Sequence, residues 1–214
     1  MKFNVEIKIC GINSYESAKA SVGAEYIGFV FYQKSPRFIN ALEAKRLRPY
    51  INDNQKLVGL FVDADLNLVN HISETLNLDV IQLHGNEDLV YINEIKKLKK
   101  PIIKAIPIKE YSDIKKASKF EKLCDMILFD TKSESEVSGG TGISFDWKLL
   151  KGYDPRGEWI LAGGLNENNI SRALKITNAK FIDVSSGVEK SKGEKCQKKI
   201  KSFIRCVKDY EKKR

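Results

Sequence analysis

The stretch VEIKICGINSYESAKASVGAEYIGFVF, residues 5–31, contains the pattern that decides the fold. A run rich in Val and Ile (5–10) precedes an amphipathic segment (15–22) and then a second β-branched and aromatic run (26–31). Short runs of this kind, bounded by Gly, Asn or Ser, predict strands, and the segment between them has helical periodicity. The stretch therefore predicts one strand–helix–strand unit of a parallel sheet.

The same alternation continues along the chain. Further strands are predicted at 56–62, 79–84, 101–106, 125–130, 158–162 and 180–185, and further helices at 41–50, 66–76, 87–99, 110–121, 144–151, 167–176 and 193–210. Eight such units in 214 residues predict an α/β fold, a closed (βα)8 or TIM barrel, as a single domain over residues 1–214. An open doubly wound sheet is the alternative, but the first turn, CGIN at 10–13, lacks the glycine-rich pattern common in that fold.

The net charge of +9 is concentrated at one end of the chain, because residues 190–214 hold 11 basic and 3 acidic side chains. Within this segment an apolar stripe recurs at helical spacing, and the basic residues fall largely off that stripe. The stripe comprises Cys196, Ile200, Phe203, Val207 and Tyr210, and the basic set comprises Lys195, Lys198, Lys199, Lys201, Arg205 and Lys208. The pattern indicates a helix docked on the barrel with a solvated lysine-rich face. The alternative is a basic binding protein that contacts RNA or an acidic partner through residues 190–214.

Composition excludes several classes of protein. With 42% hydrophobic and 30% charged residues the chain is neither disordered nor fibrous. Its apolar runs are far shorter than the ~18 residues that span a bilayer, and no secretory signal is visible. Four cysteines without C-x-x-C spacing and two histidines make no metal cluster. We expect a cytoplasmic protein, a monomer or homodimer, with no membrane or nucleic-acid partner.

Polar and glycine residues collect where the predicted strands end, the edge at which a barrel of this kind carries its active site. Cys10 and Asp130 are a candidate base and acid, although a buried apolar thiol and a capping carboxylate are the ordinary interpretations. Lys8 lies on the same strand face as Cys10. It either lowers the pKa of the thiol or pairs with a carboxylate inside the barrel.

Two loops after the last strands predict a phosphate site. They lack bulky side chains, so that backbone N–H groups and serine hydroxyls can approach an anion, and they comprise Gly163, Gly164, Ser185, Ser186 and Gly187. Tight turns before helices are the alternative. Arg37 follows a proline-stiffened loop and has the fork that suits a carboxylate, and His84 ends another strand.

Taken in order, these segments resemble the phosphoribosylanthranilate isomerase family. The matching segments are KICG (8–11), GFVF (28–31), KSPR (34–37), VGLFVD (58–63), QLHG (82–85), LFD (128–130), GGTG (139–142), FDW (145–147), LAGGL (161–165) and DVSSGVE (183–189). Asn13 and the serine- and glutamate-rich segment 131–138 depart from the family pattern. Neither departure falls on a residue with an expected chemical role.

The resemblance implies an Amadori rearrangement of a small phosphorylated substrate, without metal or organic cofactor. It implies that Asp130 is the general acid and Cys10 the general base. It further implies that Arg37 holds the anthranilate carboxylate, that Asp183 contacts sugar hydroxyls and that His84 lines the site. The phosphate would lie on the two loops named above. Independently of the resemblance, Lys190 and Lys192 lie just beyond the loop 185–187, so we expect these two lysines to steer the anionic substrate to the barrel mouth.

Two related families remain as alternatives. The sister isomerase of histidine biosynthesis places an aspartate where this chain has Cys10 and carries a second phosphate site. Indole-glycerol-phosphate synthase shares the phosphate loops but uses catalytic lysines and a longer N-terminal extension.

Overall fold

Eight parallel strands form a closed barrel in the computed structural model, which describes residues 4–131, 144–153, 155 and 157–214. The strands are β1 (Glu6–Cys10), β2 (Tyr26–Val30), β3 (Lys56–Phe61), β4 (Val80–Leu83), β5 (Ile102–Ile108), β6 (Met126–Thr131), β7 (Glu158–Leu161) and β8 (Phe181–Val184). Each pairs with the next, and β8 pairs with β1. The (βα)8 barrel is confirmed over the open sheet, and the segment GGTG (139–142) lies outside the described residues.

Helices follow most strands and cover the outside of the barrel. They are α1 (Tyr15–Ala20), α2 (Ala41–Leu47), α3 (Leu66–Leu76), α4 (Leu89–Lys96), α5 (Tyr111–Ala117), α6 (Ile170–Thr177) and α7 (Gln197–Lys212). Local capping fixes where they begin: Ser14 and Asn40 each form a reciprocal capping box with the third residue of the following helix. The helix predicted at 144–151 is instead a short 3-10 turn, Trp147–Leu150, capped by Asp146.

Strand residues are buried on both faces, as a parallel barrel covered by helices requires. One apolar layer lies between the strands and the helices and includes Ile7, Phe29 and Phe129. A second, smaller cluster fills the barrel interior and includes Val58 and Ile103. A third, small apolar cluster, which includes Cys10, Val30 and Leu60, lies at the carboxyl ends of the strands, next to polar residues such as Asp183.

The carboxyl-terminal segment differs from the prediction at its start. A two-stranded hairpin, β9 (Glu189–Ser191) and β10 (Glu194–Lys195), precedes α7, so the helix predicted from residue 193 begins at Gln197. The predicted placement of Lys195 on a solvated helix face is wrong, because its side chain has no exposed surface.

The rest of α7 agrees with the prediction of a docked amphipathic helix. Its stripe of Ile200, Phe203 and Val207 is fully buried, and α7 packs against α1 and α6, whereas Lys198 and Lys201 are exposed. Within the described ranges, no helix combines the length and the apolar character that crossing a membrane requires.

Candidate active site

A cavity of about 740 Å³, counted to its open mouth, lies at the carboxyl ends of the strands. Nine of the ten predicted site residues line it, namely Cys10, Arg37, His84, Asp130, Gly163, Gly164, Asp183, Ser185 and Ser186. The tenth, Gly187, is not among the lining residues. A Cβ at Gly187 would collide with the Leu165 carbonyl, so this glycine permits close packing of the two loops.

Cys10 ends β1 and faces the cavity from a buried position, with 4% of its surface exposed. Gly28 on the neighbouring strand makes room for it, since a Cβ there would lie 3.2 Å from both Cys10 Sγ and Lys8 Cε. Burial raises the pKa of the Cys10 thiol, and the positive charge of Lys8 opposes that shift. A thiolate formed here is therefore a stronger base than an exposed one.

Lys8 forms an ion pair across the β1–β8 junction. Its Nζ lies 3.0 Å from Asp183 Oδ2, and neither side chain has more than 8% of its surface exposed. Burial favours the neutral form of Lys8, but Asp183 and Cys10 outweigh it, so the pKa of Lys8 is raised. The expected pairing with a carboxylate is therefore confirmed. The ammonium also works to lower the pKa of the Cys10 thiol, but burial outweighs it and the pKa is raised on balance.

Asp183 keeps one carboxylate oxygen free for a ligand. Its Oδ1 is buried and has no hydrogen-bond partner among the residues described, although Asp183 lines the cavity. A buried acceptor without a partner is costly unless a ligand or water supplies a donor. This oxygen can accept a hydroxyl hydrogen from a molecule in the cavity.

Asp130 and His84 meet across the opposite side of the cavity. His84 Nε2 lies 3.4 Å from Asp130 Oδ2, and Asp130 Oδ1 accepts a hydrogen bond of 2.7 Å from the Thr131 N–H. Gln82, two residues before His84 on the same strand face, places its amide nitrogen 3.0 Å from His84 Nδ1. Because the amide nitrogen only donates, it selects the histidine tautomer that carries hydrogen on Nε2, toward Asp130.

The loops after β7 and β8 form an anion cradle. Gly163 and Gly164 have φ of 85° and 65°, and a Cβ on Gly163 would meet the Thr131 backbone and hydroxyl. The Gly164 carbonyl accepts hydrogen bonds from Asn166 and Asn169, which fixes the loop. Within the described ranges the two glycine N–H groups make no hydrogen bond, so both donors are available to an anion.

Arg37 enters the cavity from the loop after β2 and is already paired. Its Nε and Nη2 donate to Glu189 at 2.6 and 3.0 Å, a buried bidentate contact. Its Nη1 has no partner in the described part of the chain, so Arg37 retains donors for a second carboxylate. Glu189 therefore fixes the orientation of the guanidinium that we expect to hold a substrate carboxylate.

Three residues that contact the predicted site residues or each other have no role predicted from the sequence: Gln82, Glu189 and Lys195. Gln82 and Glu189 stand inside the family-like segments QLHG and DVSSGVE, and that position was the available signal for them. Lys195 had no such signal, because it is one of 11 basic residues in the terminal segment. Its burial depends on the hairpin, which no periodicity in the sequence indicates.

Comparison with known proteins agrees with this geometry. Residues 7–206 match the family model of N-(5′-phosphoribosyl)anthranilate (PRA) isomerase. The PRA isomerase of Parvibaculum lavamentivorans is 39% identical, over 96% of this chain and 99% of its own length.

Two solved structures extend the comparison. A PRA isomerase in complex with reduced 1-(o-carboxyphenylamino)-1-deoxyribulose 5-phosphate superposes with a TM-score of 0.84 at 33% identity, covering 96% of this chain and 99% of that one. Generated monomers of the dimeric Thermotoga maritima enzyme give a TM-score of 0.82 at 33% identity, covering 95% and 98%. The chain therefore belongs to the PRA isomerase family.

Proposed function

We propose that this chain catalyses the Amadori rearrangement of N-(5-phosphoribosyl)anthranilate to 1-(2-carboxyphenylamino)-1-deoxyribulose 5-phosphate, a step of tryptophan biosynthesis. Family membership supports the reaction, and a 33% identical relative is solved with the reduced product. The observation that carries the proposal is the convergence of Cys10, Asp130 and the Gly163–Gly164 loop on one cavity. An acid, a base and an anion cradle around one small molecule are what this isomerisation needs.

Asp130 begins the reaction as the general acid. Its proton goes to the furanose ring oxygen, the C1–oxygen bond breaks, and the lone pair of the anthranilate nitrogen forms a Schiff base with C1. His84 Nε2–H lies 3.4 Å from the same carboxyl group and stabilises the carboxylate left behind.

Cys10 completes the reaction as the general base. The thiolate removes the proton from C2, and the electron pair flows to the nitrogen to give an enolamine, which tautomerises to the ketone. The ammonium of Lys8 stabilises the thiolate before it accepts the proton. All electrons stay within the substrate, so the step needs neither a metal nor an organic cofactor.

Binding is divided among four parts of the site. The phosphate lies on the N–H groups of Gly163, Gly164 and the serine loop, to which Ser185, Ser186 and Gly187 belong. Arg37 holds the anthranilate carboxylate through Nη1, and Asp183 Oδ1 accepts from a sugar hydroxyl. Anthranilate itself lies against the apolar lining of Val30, Leu60 and Val62.

A coupled assay with substrate made in situ tests the reaction. Cys10→Ala or Asp130→Asn should lower kcat by about 10²–10⁴, the usual contribution of acid–base catalysis, with KM nearly unchanged. Cys206→Ala and Asp53→Asn are matched controls: Asp53 is fully exposed, Cys206 lies on α7, and both should retain activity. Absence of turnover above the spontaneous background in the wild-type protein would refute the proposed function.

The carboxylate clamp has its own test. Arg37→Ala should raise KM far more than it lowers kcat, because Arg37 binds a group remote from the reacting carbons. An unchanged KM would exclude Arg37 from substrate binding.

We also propose a cytoplasmic enzyme, monomeric or homodimeric, with no nucleic-acid or membrane partner. The burial of the apolar stripe of α7 supports a structural use of that helix, and a dimeric relative supports the homodimer. Light scattering after size-exclusion chromatography measures the mass, and filter binding with RNA at low salt tests the basic surface. A tetramer, or binding that truncation of the α7 lysines abolishes, would contradict this.

A further inference from the structure

Arg37, Glu189 and Lys195 form a buried cluster of charges directly beneath the serine loop. Lys195 Nζ lies 2.8 Å from Glu189 Oε1, and Glu189 also binds Arg37 and the Gly193 N–H. Burial works against ionisation of Glu189, but hydrogen bonds from Arg37 and Lys195 outweigh it and hold its pKa below the ordinary value. With two cations and one anion, the cluster carries a net charge of about +1.

Lys195 donates all three of its ammonium hydrogens, and two of them go to a single residue of the serine loop. Besides Glu189, its Nζ donates to the Ser185 carbonyl at 3.0 Å and to Ser185 Oγ at 3.2 Å. An ammonium can only donate, so it occupies a lone pair of the hydroxyl and leaves the hydroxyl hydrogen to be donated elsewhere. In this structure that hydrogen goes to the Cys10 carbonyl, 3.2 Å away, and the hydroxyl must rotate about its C–O bond before it donates to an anion on the loop.

The hairpin that delivers Lys195 is itself fixed against two other cavity loops. Gly193, with φ of 84°, lies against the Pro36 backbone so closely that a Cβ would collide with the Pro36 carbonyl. The Gly193 carbonyl accepts a hydrogen bond of 3.1 Å from Asn13. Lys195 is therefore held in place from the β1 and β2 loops, and its position does not depend on a ligand.

We propose that Lys195 is a positioning residue for the substrate phosphate: it fixes Ser185 as a hydrogen-bond donor and supplies the excess positive charge beneath the serine loop. A phosphate dianion accepts hydrogen bonds only, so a loop hydroxyl kept as a donor is matched to it. This inference rests on the proposed function, since it assigns a role at the same phosphate site.

A phosphate on the serine loop gives the buried ammonium of Lys195 a compensating negative charge in addition to Glu189. Burial lowers the pKa of Lys195, and Glu189 offsets that only in part. An anion on the loop adds a second favourable charge and stabilises the ammonium, so burial makes Lys195 responsive to phosphate. The exposed Lys190, whose Nζ lies 2.6 Å from Glu194, has no comparable dependence.

Binding of inorganic phosphate, measured by isothermal titration calorimetry without substrate, is the primary test. Lys195→Met removes the charge and keeps the chain length, and it should weaken phosphate binding roughly tenfold or more, as expected for one charge acting over a few ångströms in protein surroundings. In the coupled assay KM should rise by a similar factor while kcat changes little. Lys198→Met, an exposed lysine on α7, is the matched control and should bind phosphate like the wild type.

A double variant distinguishes an electrostatic role of Lys195 from a purely structural one. Lys195→Met/Glu189→Gln returns the cluster to a net charge of about +1, and it should recover part of the phosphate affinity lost in Lys195→Met. A purely structural role predicts a further loss instead. Phosphate affinity unchanged in Lys195→Met, or no recovery in the double variant, would overturn the proposal.

Wild-type protein provides a readout that does not depend on a variant's folding. Nuclear magnetic resonance of the lysine ammonium groups should show the slowly exchanging Lys195 signal shifting as inorganic phosphate is added. No shift at saturation would also overturn the proposal. Turnover failing in the wild type while phosphate still binds and shifts Lys195 would refute the proposed function alone.

Discussion

Removing the charge of Lys8 should destabilise the barrel in a pH-dependent way. In Lys8→Met the Asp183 carboxylate loses its partner at 3.0 Å while remaining buried. Leaving one member of a buried ion pair alone costs about 3–5 kcal/mol. The variant can escape that cost only by protonating Asp183.

Protonation of Asp183 limits how much stability the variant can lose, and this limit depends on pH. Holding a carboxyl of ordinary pKa ~3.9 in its neutral form at pH 8 costs roughly 5–6 kcal/mol, but only about 1.5 kcal/mol at pH 5, at 1.36 kcal/mol per unit. In the variant the unpartnered Asp183 has a pKa above that of the unfolded chain, so the folded state binds the extra proton. Stability is therefore retained at low pH and lost as pH rises.

Equilibrium urea unfolding, followed by the fluorescence of Trp147 and Trp159, measures the loss of stability at each pH. Relative to wild type, Lys8→Met should lose about 3–5 kcal/mol at pH 8 and no more than about 1.5 kcal/mol at pH 5. Lys190→Met breaks an exposed ion pair that solvent screens, so it should leave the free energy of unfolding close to that of the wild type at either pH. The double variant Lys8→Met/Asp183→Asn should regain most of the loss. Equal losses at both pH values, or strict additivity in the double variant, would refute the reasoning.

Three further outcomes are expected. Since burial raises the pKa of Cys10, the thiolate absorbance near 240 nm that Cys10→Ala removes should still be increasing at pH 8.5, and a plateau of that signal by pH 7 would contradict the raised pKa. Gly163→Ala should raise the inhibition constant for inorganic phosphate at least tenfold, because φ of 85° and the clash with Thr131 distort the cradle; an unchanged constant would remove the loop from the phosphate site. Neutralising both Lys190 and Lys192 should lower kcat/KM at low salt and not at high salt, and a salt-independent effect would exclude steering.

Local signals predicted most of the architecture. The helix at 66–76 was predicted to the residue, because Asp65 caps its start and Asn77, at φ of 46°, ends it. The strands agree to within two residues at each end, since buried parallel strands read as continuous β-branched runs. The helix at 144–151 was over-predicted, because a four-residue 3-10 turn satisfies the same short apolar pattern.

The contacts within the site likewise fall into those that the sequence could predict and those that it could not. Alternation along a strand already places Lys8 with Cys10 and Gln82 with His84, so those pairs could be read from the chain. Glu189 and Arg37, 152 positions apart, could not. Their contact needs the barrel to close and the hairpin to fold back over the β2 loop.

The sequence by itself determined the repeating strand–helix units, the edge of the barrel that carries the chemistry, and the residue types present there, because hydrophobic periodicity and turn residues act over a few positions. Only the tertiary structure decided which charges are buried together. Sequence patterning treats Lys195 as one more solvated lysine, since burying an ammonium is unfavourable on its own. Glu189 and the Ser185 oxygens offset part of that cost, and these partners come together only in the folded chain.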